Sequence, residues 1–165
     1  MADEVAHRPT AIPDRIVLTW SGDPATTQAA TWRTDATVHK SLAQLAKSDG
    51  GPRFMLEAVD FPAVTSSLQT DLGLSHYHAV NFTGLTPGSK YIYRVGDGEN
   101  WSEWFQFRTA KSEPAPFSFV YFGDAQNEIK SHWSRVVREA FTDAPKASFL
   151  LHAGDLVNNA NSDAQ

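Results

Sequence analysis

Leu85-Thr86-Pro87-Gly88-Ser89-Lys90-Tyr91-Ile92-Tyr93 is the run on which the reading of the front of the chain turns. Pro-Gly marks a tight turn, and the residues after it, through Val95, alternate as a half-buried strand does. Tyr91 and Tyr93 stand two apart and so share one face of that strand.

Working outward, residues 13 to 109 read as short alternating strands broken by Gly, Pro, Asp and Asn clusters. Upstream, Arg15 to Trp20 places Ile16, Leu18 and Trp20 on one face, and Gln28 to Arg33 follows after the turn at Ser21-Gly-Asp-Pro24. Further candidate strands are Arg53 to Phe61, His76 to Phe82, Lys90 to Val95 and Trp101 to Arg108. Strands at this spacing predict an antiparallel sandwich. The turn followed by Tyr91 resembles the tyrosine corner of fibronectin type III-like sandwiches, whose hydroxyl bonds back to the chain a few residues upstream. Plain core packing is the alternative for both tyrosines, and the one we prefer for Tyr93. Val38, Leu42 and Leu45 fit a helical stripe, but neighbouring strands favour a strand there.

Lys111-Ser-Glu-Pro-Ala-Pro116 reads as a boundary, because two prolines cannot continue a ladder. Phe117 to Phe122 is a nearly unbroken apolar run, the pattern of a strand buried on both faces. Ile129, Trp133, Val136, Val137, Ala140 and Phe141 then form a helical stripe starting near Asn127 and ended by Pro145. A second buried-strand run spans Ala147 to Ala153, which completes a βαβ unit with parallel strands. The expected organisation is a tail (1–12), a sandwich (13–110), a linker (111–116) and a truncated α/β segment (117–165).

Of four Gly-Asp pairs, two lie among turn residues. Gly123-Asp124 and Gly154-Asp155 instead end the two apolar runs. Ligands bind at the carboxyl ends of strands in open α/β sheets, and two carboxylates converging there suit metal ions that stabilise charge on phosphoryl oxygens. The bland alternative is a pair of loop carboxylates capping backbone amides.

At these residues the chain resembles the calcineurin-like metallophosphoesterases, and among them the purple acid phosphatases, which carry a fibronectin-like domain before the catalytic one. The resemblance extends through Arg15 to Trp20, Gln28 to Thr34 and His76 to Tyr93. It implies a binuclear Fe, Zn or Mn centre, with Asp124 on one ion and Asp155 bridging both, and a phosphoester substrate. Purple acid phosphatases place a tyrosinate three residues after the bridging Asp, where this chain has Asn158. Asn158 therefore joins the candidate metal residues, with orientation of water, phosphate contact or turn capping as its other readings. The wider superfamily reads Asp-x-His where this chain has Gln126, a poorer ligand than imidazole. No histidine follows His152, so the family's later Asn-His and Gly-His-x-His motifs have no counterpart. By that resemblance the chain holds only the opening part of the enzyme, binds metal weakly and is itself inactive, and no catalytic residue is assigned.

Other histidines and tryptophans take plainer readings. His76 and His78 alternate on one strand and read as structural. His152 reads as packing or support beside the Gly-Asp turn, and His132 as solvated. Trp101 and Trp104 read as core packing rather than a platform for sugars. A net charge of −5 with 14 Lys plus Arg leaves no basic stripe, which excludes nucleic acid as a partner. No cysteine is present, so a metal must be held by oxygen or nitrogen donors. No run approaches the roughly 20 apolar residues of a membrane span. The amino terminus carries no signal-peptide pattern, and family resemblance alone suggests a secreted or periplasmic protein. An incomplete parallel sheet invites a homodimer or strand exchange. A fibronectin-like binding or adhesion module with structural Gly-Asp loops is the competing reading.

Overall fold

Two sheets of four antiparallel strands face each other across an aromatic core in the computed structural model, which describes residues 3–48 and 50–163. The chain divides into two compact units, one running up to Glu113 and one from Pro114 to Asp163.

In the first unit, a four-residue helix α1 (Asp3–Ala6) precedes the strands. One sheet has the order β1-β2-β6-β5, built from Asp14–Thr19, Gln28–Asp35, Gly73–Phe82 and Val64–Thr70. The other has the order β4-β3-β7-β8, from Val59–Pro62, Leu42–Lys47, Lys90–Gly96 and Phe105–Arg108. Inward-facing Trp32, Val80 and Phe82 of one sheet meet Leu45, Tyr93 and Val95 of the other, the alternation a sandwich requires. The sandwich prediction therefore holds, and residues 42–47 are a strand. Their helical periodicity yields because β3 is flanked by β4 and β7, whose ladders satisfy its backbone.

The tyrosine corner is present at Tyr91. Its hydroxyl oxygen accepts the Thr86 backbone N–H at 2.8 Å, five residues upstream. Tyr93 lies in the core against Phe82, Phe105 and Phe107, and burial pushes its phenol up to about 12. At the amino-terminal side, the buried Arg33 guanidinium donates to both Asp14 carboxylate oxygens, at 2.9 and 2.6 Å, and to the His7 carbonyl.

In the first unit, three expectations need correction. Arg53 to Phe61 is not one strand: Pro52–Leu56 forms a 3-10 turn, as a proline at the first position allows, and only Val59–Pro62 pairs. Trp101 to Arg108 shortens to Phe105–Arg108, with Trp101 bridged singly to Gly96. Trp101 and Trp104 are not in the core cluster. They flank the Arg94 guanidinium at 4.0 and 4.6 Å, and Phe54 meets Trp104 edge-on. A cation over two indole faces is favourable when partly desolvated.

The second unit is smaller. Strands β9 (Val120–Phe122) and β10 (Leu150–His152) pair in parallel, and between them a π-helical turn (Ile129–Trp133) runs into helix α2 (Ser134–Asp143). Trp133 sets its ring edge-on to Phe122 at 4.9 Å and to His152 at 5.5 Å, which anchors the helix to both strands. The expectation that these strands are buried on both faces does not hold. Phe117, Phe119, Tyr121, Leu150 and Leu151 are all exposed, because two strands of three residues leave no neighbour to cover them. Of the helical stripe, Trp133, Val137 and Ala140 are half-buried while Val136 and Phe141 face solvent. Among the described residues no helix is long and apolar enough to cross a membrane.

Candidate functional site

Parallel pairing brings the two Gly-Asp tips together. Leu150, Leu151 and His152 stand opposite Val120, Tyr121 and Phe122, and the Ala153 N–H continues the ladder to the Phe122 carbonyl at 2.8 Å. Beyond that bond each chain turns away. Asp124 has φ 60° and Asp155 φ 52°, left-handed conformations that aspartate tolerates better than most side chains. Gly154, at φ 107°, adopts a backbone that glycine enters readily. Gly123 packs beside Ala153, and a Cβ added there would stand in ordinary contact, 3.7 Å from the Ala153 Cβ.

Both carboxylates are exposed. Asp124 Oδ1 accepts from Gln126 Nε2 at 2.9 Å, whereas the Asp155 side chain accepts no hydrogen bond from the described residues. Neither aspartate caps a backbone amide among the described residues. Asn158, three residues past Asp155, reaches the first loop: its Nδ2 donates to the Gln126 carbonyl and to Asn127 Oδ1, each at 2.9 Å. So the three residues singled out from sequence lie on two loops that are joined by hydrogen bonds. No group of three or more His, Cys, Asp or Glu suited to a metal ion occurs among the described residues.

His152 supports the second tip. Its Nδ1 accepts the Gly154 N–H at 3.2 Å, so Nε2 carries the proton, and that atom has no hydrogen-bond partner among the described residues. Glu128, also left-handed at φ 51°, precedes the π-helical turn, and its carbonyl receives the His132 and Trp133 N–H groups. Sequence periodicity showed the helix but not this wide first turn, which has no simple compositional signal. His132 is exposed, as its surface position suggested.

His76 and His78 are structural, far in sequence from the tips. His76 Nδ1 donates to the Val38 carbonyl at 2.8 Å. His78 has Thr34 Oγ1 on Nε2 at 2.8 Å and Thr65 Oγ1 on Nδ1 at 2.9 Å. Because the Thr34 hydroxyl already donates to the Asp35 carbonyl, it accepts from Nε2–H, leaving Nδ1 to accept from Thr65.

A β-sandwich followed by a short strand–helix–strand segment defines the class: a mostly β protein with few helices. Residues 13–109 match the family described as "Purple acid Phosphatase, N-terminal domain". The chain belongs to that family. It is 29% identical over 157 residues to acid phosphatase type 7 of Danio rerio and 30% over 159 residues to that of Homo sapiens, matches that cover 92% and 94% of this chain. It spans about a third, 33% and 34%, of the length of these curated relatives. The solved structure of PhoD superposes with a TM-score of 0.57 at 17% identity, over 90% of this chain and 28% of that one. That likeness concerns the fold.

Proposed function

We propose that this chain is the N-terminal part of a binuclear metal-dependent phosphoester hydrolase of acid phosphatase type, with Asp124 and Asp155 as metal-binding carboxylates. The parallel pairing of β9 with β10 carries the reading, because it puts the two aspartates at neighbouring carboxyl ends, where open α/β sheets gather ligands. The donors fit hard or borderline cations: two exposed carboxylates, one of them without a hydrogen bond among the described residues, and no thiolate. Asp124 and Asp155 would hold the ions. Asn158 has only its Oδ1 left to offer. Bound there, Fe, Zn or Mn ions would supply Lewis-acid stabilisation of phosphoryl charge and acidify a water molecule.

This chain's own part is to hold the two carboxylates at one edge of the sheet. His152 fixes the second turn through Gly154. Substrate is a phosphomonoester or diester. Family membership also leads us to place the protein outside the cytoplasm, secreted or periplasmic, which fractionation of the source cells checks.

The deciding assay is release of p-nitrophenol from p-nitrophenyl phosphate by the full-length protein with added Mn, Zn or Fe. Metal-stimulated turnover is expected, falling roughly 100-fold or more in Asp155→Asn. The 165-residue chain alone should hydrolyse nothing. Full-length protein that shows no turnover with any of the three metals would remove the hydrolase reading.

A further inference from the structure

We infer that Asn158 is a positioning residue, a clamp between the two strand-tip loops that works through its amide nitrogen. Its effect on metal binding rests on the reading of Asp124 and Asp155 just given; the clamp itself rests on geometry. Both acceptors on Nδ2 are oxygens, the Gln126 carbonyl and Asn127 Oδ1. A main-chain carbonyl only accepts, so the nitrogen side of the Asn158 amide faces the first loop.

The link continues. Gln126 donates Nε2 to Asp124 Oδ1, and a carboxylate likewise only accepts. Gln126 thus joins the two loops: its main-chain carbonyl accepts from Asn158, on the loop that carries Asp155, and its side chain donates to the Asp124 carboxylate. Residue 158 must supply two protons to two oxygens. A primary amide does this; a phenol has one proton and a carboxylate none. Gln126, a poor ligand where imidazole would serve, gains a purpose in the same network: it orients Asp124. Partners that orient metal-binding carboxylates in this way commonly change metal affinity 10–100-fold when removed.

The test uses the 165-residue chain and two exposed substitutions. Asn158→Asp keeps the size of the side chain and turns its donor into an acceptor, while Asn127→Ala removes one partner. In the metal-free chain, NMR should show the Asp124, Gln126 and Asn127 amides shifted and exchanging faster in Asn158→Asp, with the sandwich resonances unmoved. In Mn2+ titrations followed by paramagnetic broadening, affinity should fall about tenfold in Asn158→Asp despite the added negative charge. Asn127→Ala should move in the same direction, and the double variant should be no weaker than Asn158→Asp alone, as for residues acting as a unit. Mn2+ binding that tightens or stays level in Asn158→Asp, or loop amides that do not move, overturns the clamp while leaving the metal reading intact. Wild-type chain in which Mn2+ broadens nothing near Asp124 and Asp155 removes the metal reading, and the positioning role with it.

Discussion

His78 shows how one buried residue can set a property of the first unit. Its ring is enclosed by Trp32, His76, Thr34 and Thr65 and has almost no exposure. Burial first, and the neighbouring His76 second, lower its pKa to about 4. The hydroxyl pattern agrees, since Nδ1 accepts from Thr65 and a second ring proton would face that oxygen in place of the hydroxyl hydrogen. A depressed histidine favours the neutral fold, so the unfolded chain takes up the proton first as pH falls. This contribution to stability is intact above about pH 6.5, shrinks between 6.5 and 4, and is fully lost below 4. It is worth on the order of 3 kcal/mol. Urea midpoints of the sandwich should therefore drop from pH 7.5 to pH 4.5 in the wild type and drop distinctly less in His78→Gln; parallel curves would show that the imidazole does not titrate this way. Tyr91→Phe tests a second single atom. It leaves the Thr86 N–H without its acceptor and should cost about 1–2 kcal/mol in denaturant unfolding.

At the level of elements, the turn after β7 illustrates how short-range chemistry builds a longer-range contact. Asp97 Oδ1 accepts the Glu99 and Asn100 N–H groups at 2.8 and 2.6 Å, and Gly96 lies so close to this turn that a Cβ would run into the Asn100 carbonyl oxygen. The turn delivers Trp101 onto Arg94, whose Nε and Nη2 also donate to Gln44 Oε1 of β3. Arg94→Ala should then destabilise the sandwich by roughly 1–2 kcal/mol and shift tryptophan emission to the red, as two indoles lose their cover. An unchanged spectrum would mean that the ladder is not formed in solution. These contacts explain what was and was not legible in the sequence. Strands β2, β6 and β7 are central, and burial selects their residues strongly, at nearly every position of β2 and β7 and in alternation along β6, so their reading held. Strand β5 was missed: Val64-Thr-Ser-Ser-Leu-Gln-Thr70 lies at a sheet edge, nearly all exposed, so burial imposes no pattern on it. The tryptophans were misassigned because a core position and a cation-stacked one look alike in sequence. The aspartate tips were legible through their place after apolar runs, whereas the Asn158 link joins residues 31 and 32 apart and leaves no local pattern.

For the whole molecule, the two units differ in how well each can cover its own apolar surface. Among the described residues, the sandwich closes a core of ten buried side chains between two sheets. The second unit, roughly 50 residues, falls in the size range where a hydrophobic core is marginal. Its parallel pair exposes Tyr121 at 64% and Leu150 at 60%, and α2 exposes Phe141 at 70%. Parallel sheets are stable when both faces are covered, and each outer edge here presents unpaired backbone groups. Apolar burial is worth about 25 cal/mol per Å2, so covering these side chains with a second copy is favourable as soon as concentration offsets the lost translational entropy. We expect the 165-residue chain to self-associate through the second unit, as a dimer or by strand exchange, with the sandwich unfolding in a separate and more stable transition. Light scattering should show mass rising with concentration, and the double substitution Tyr121→Lys, Leu150→Lys should return the chain to monomer without altering the sandwich transition. Hydrogen exchange gives the complementary reading, with residues 117–163 protected only in the associated form. A wild-type monomer in which this segment is as protected as β2 and β6 would show that the unit covers its apolar surface without a partner.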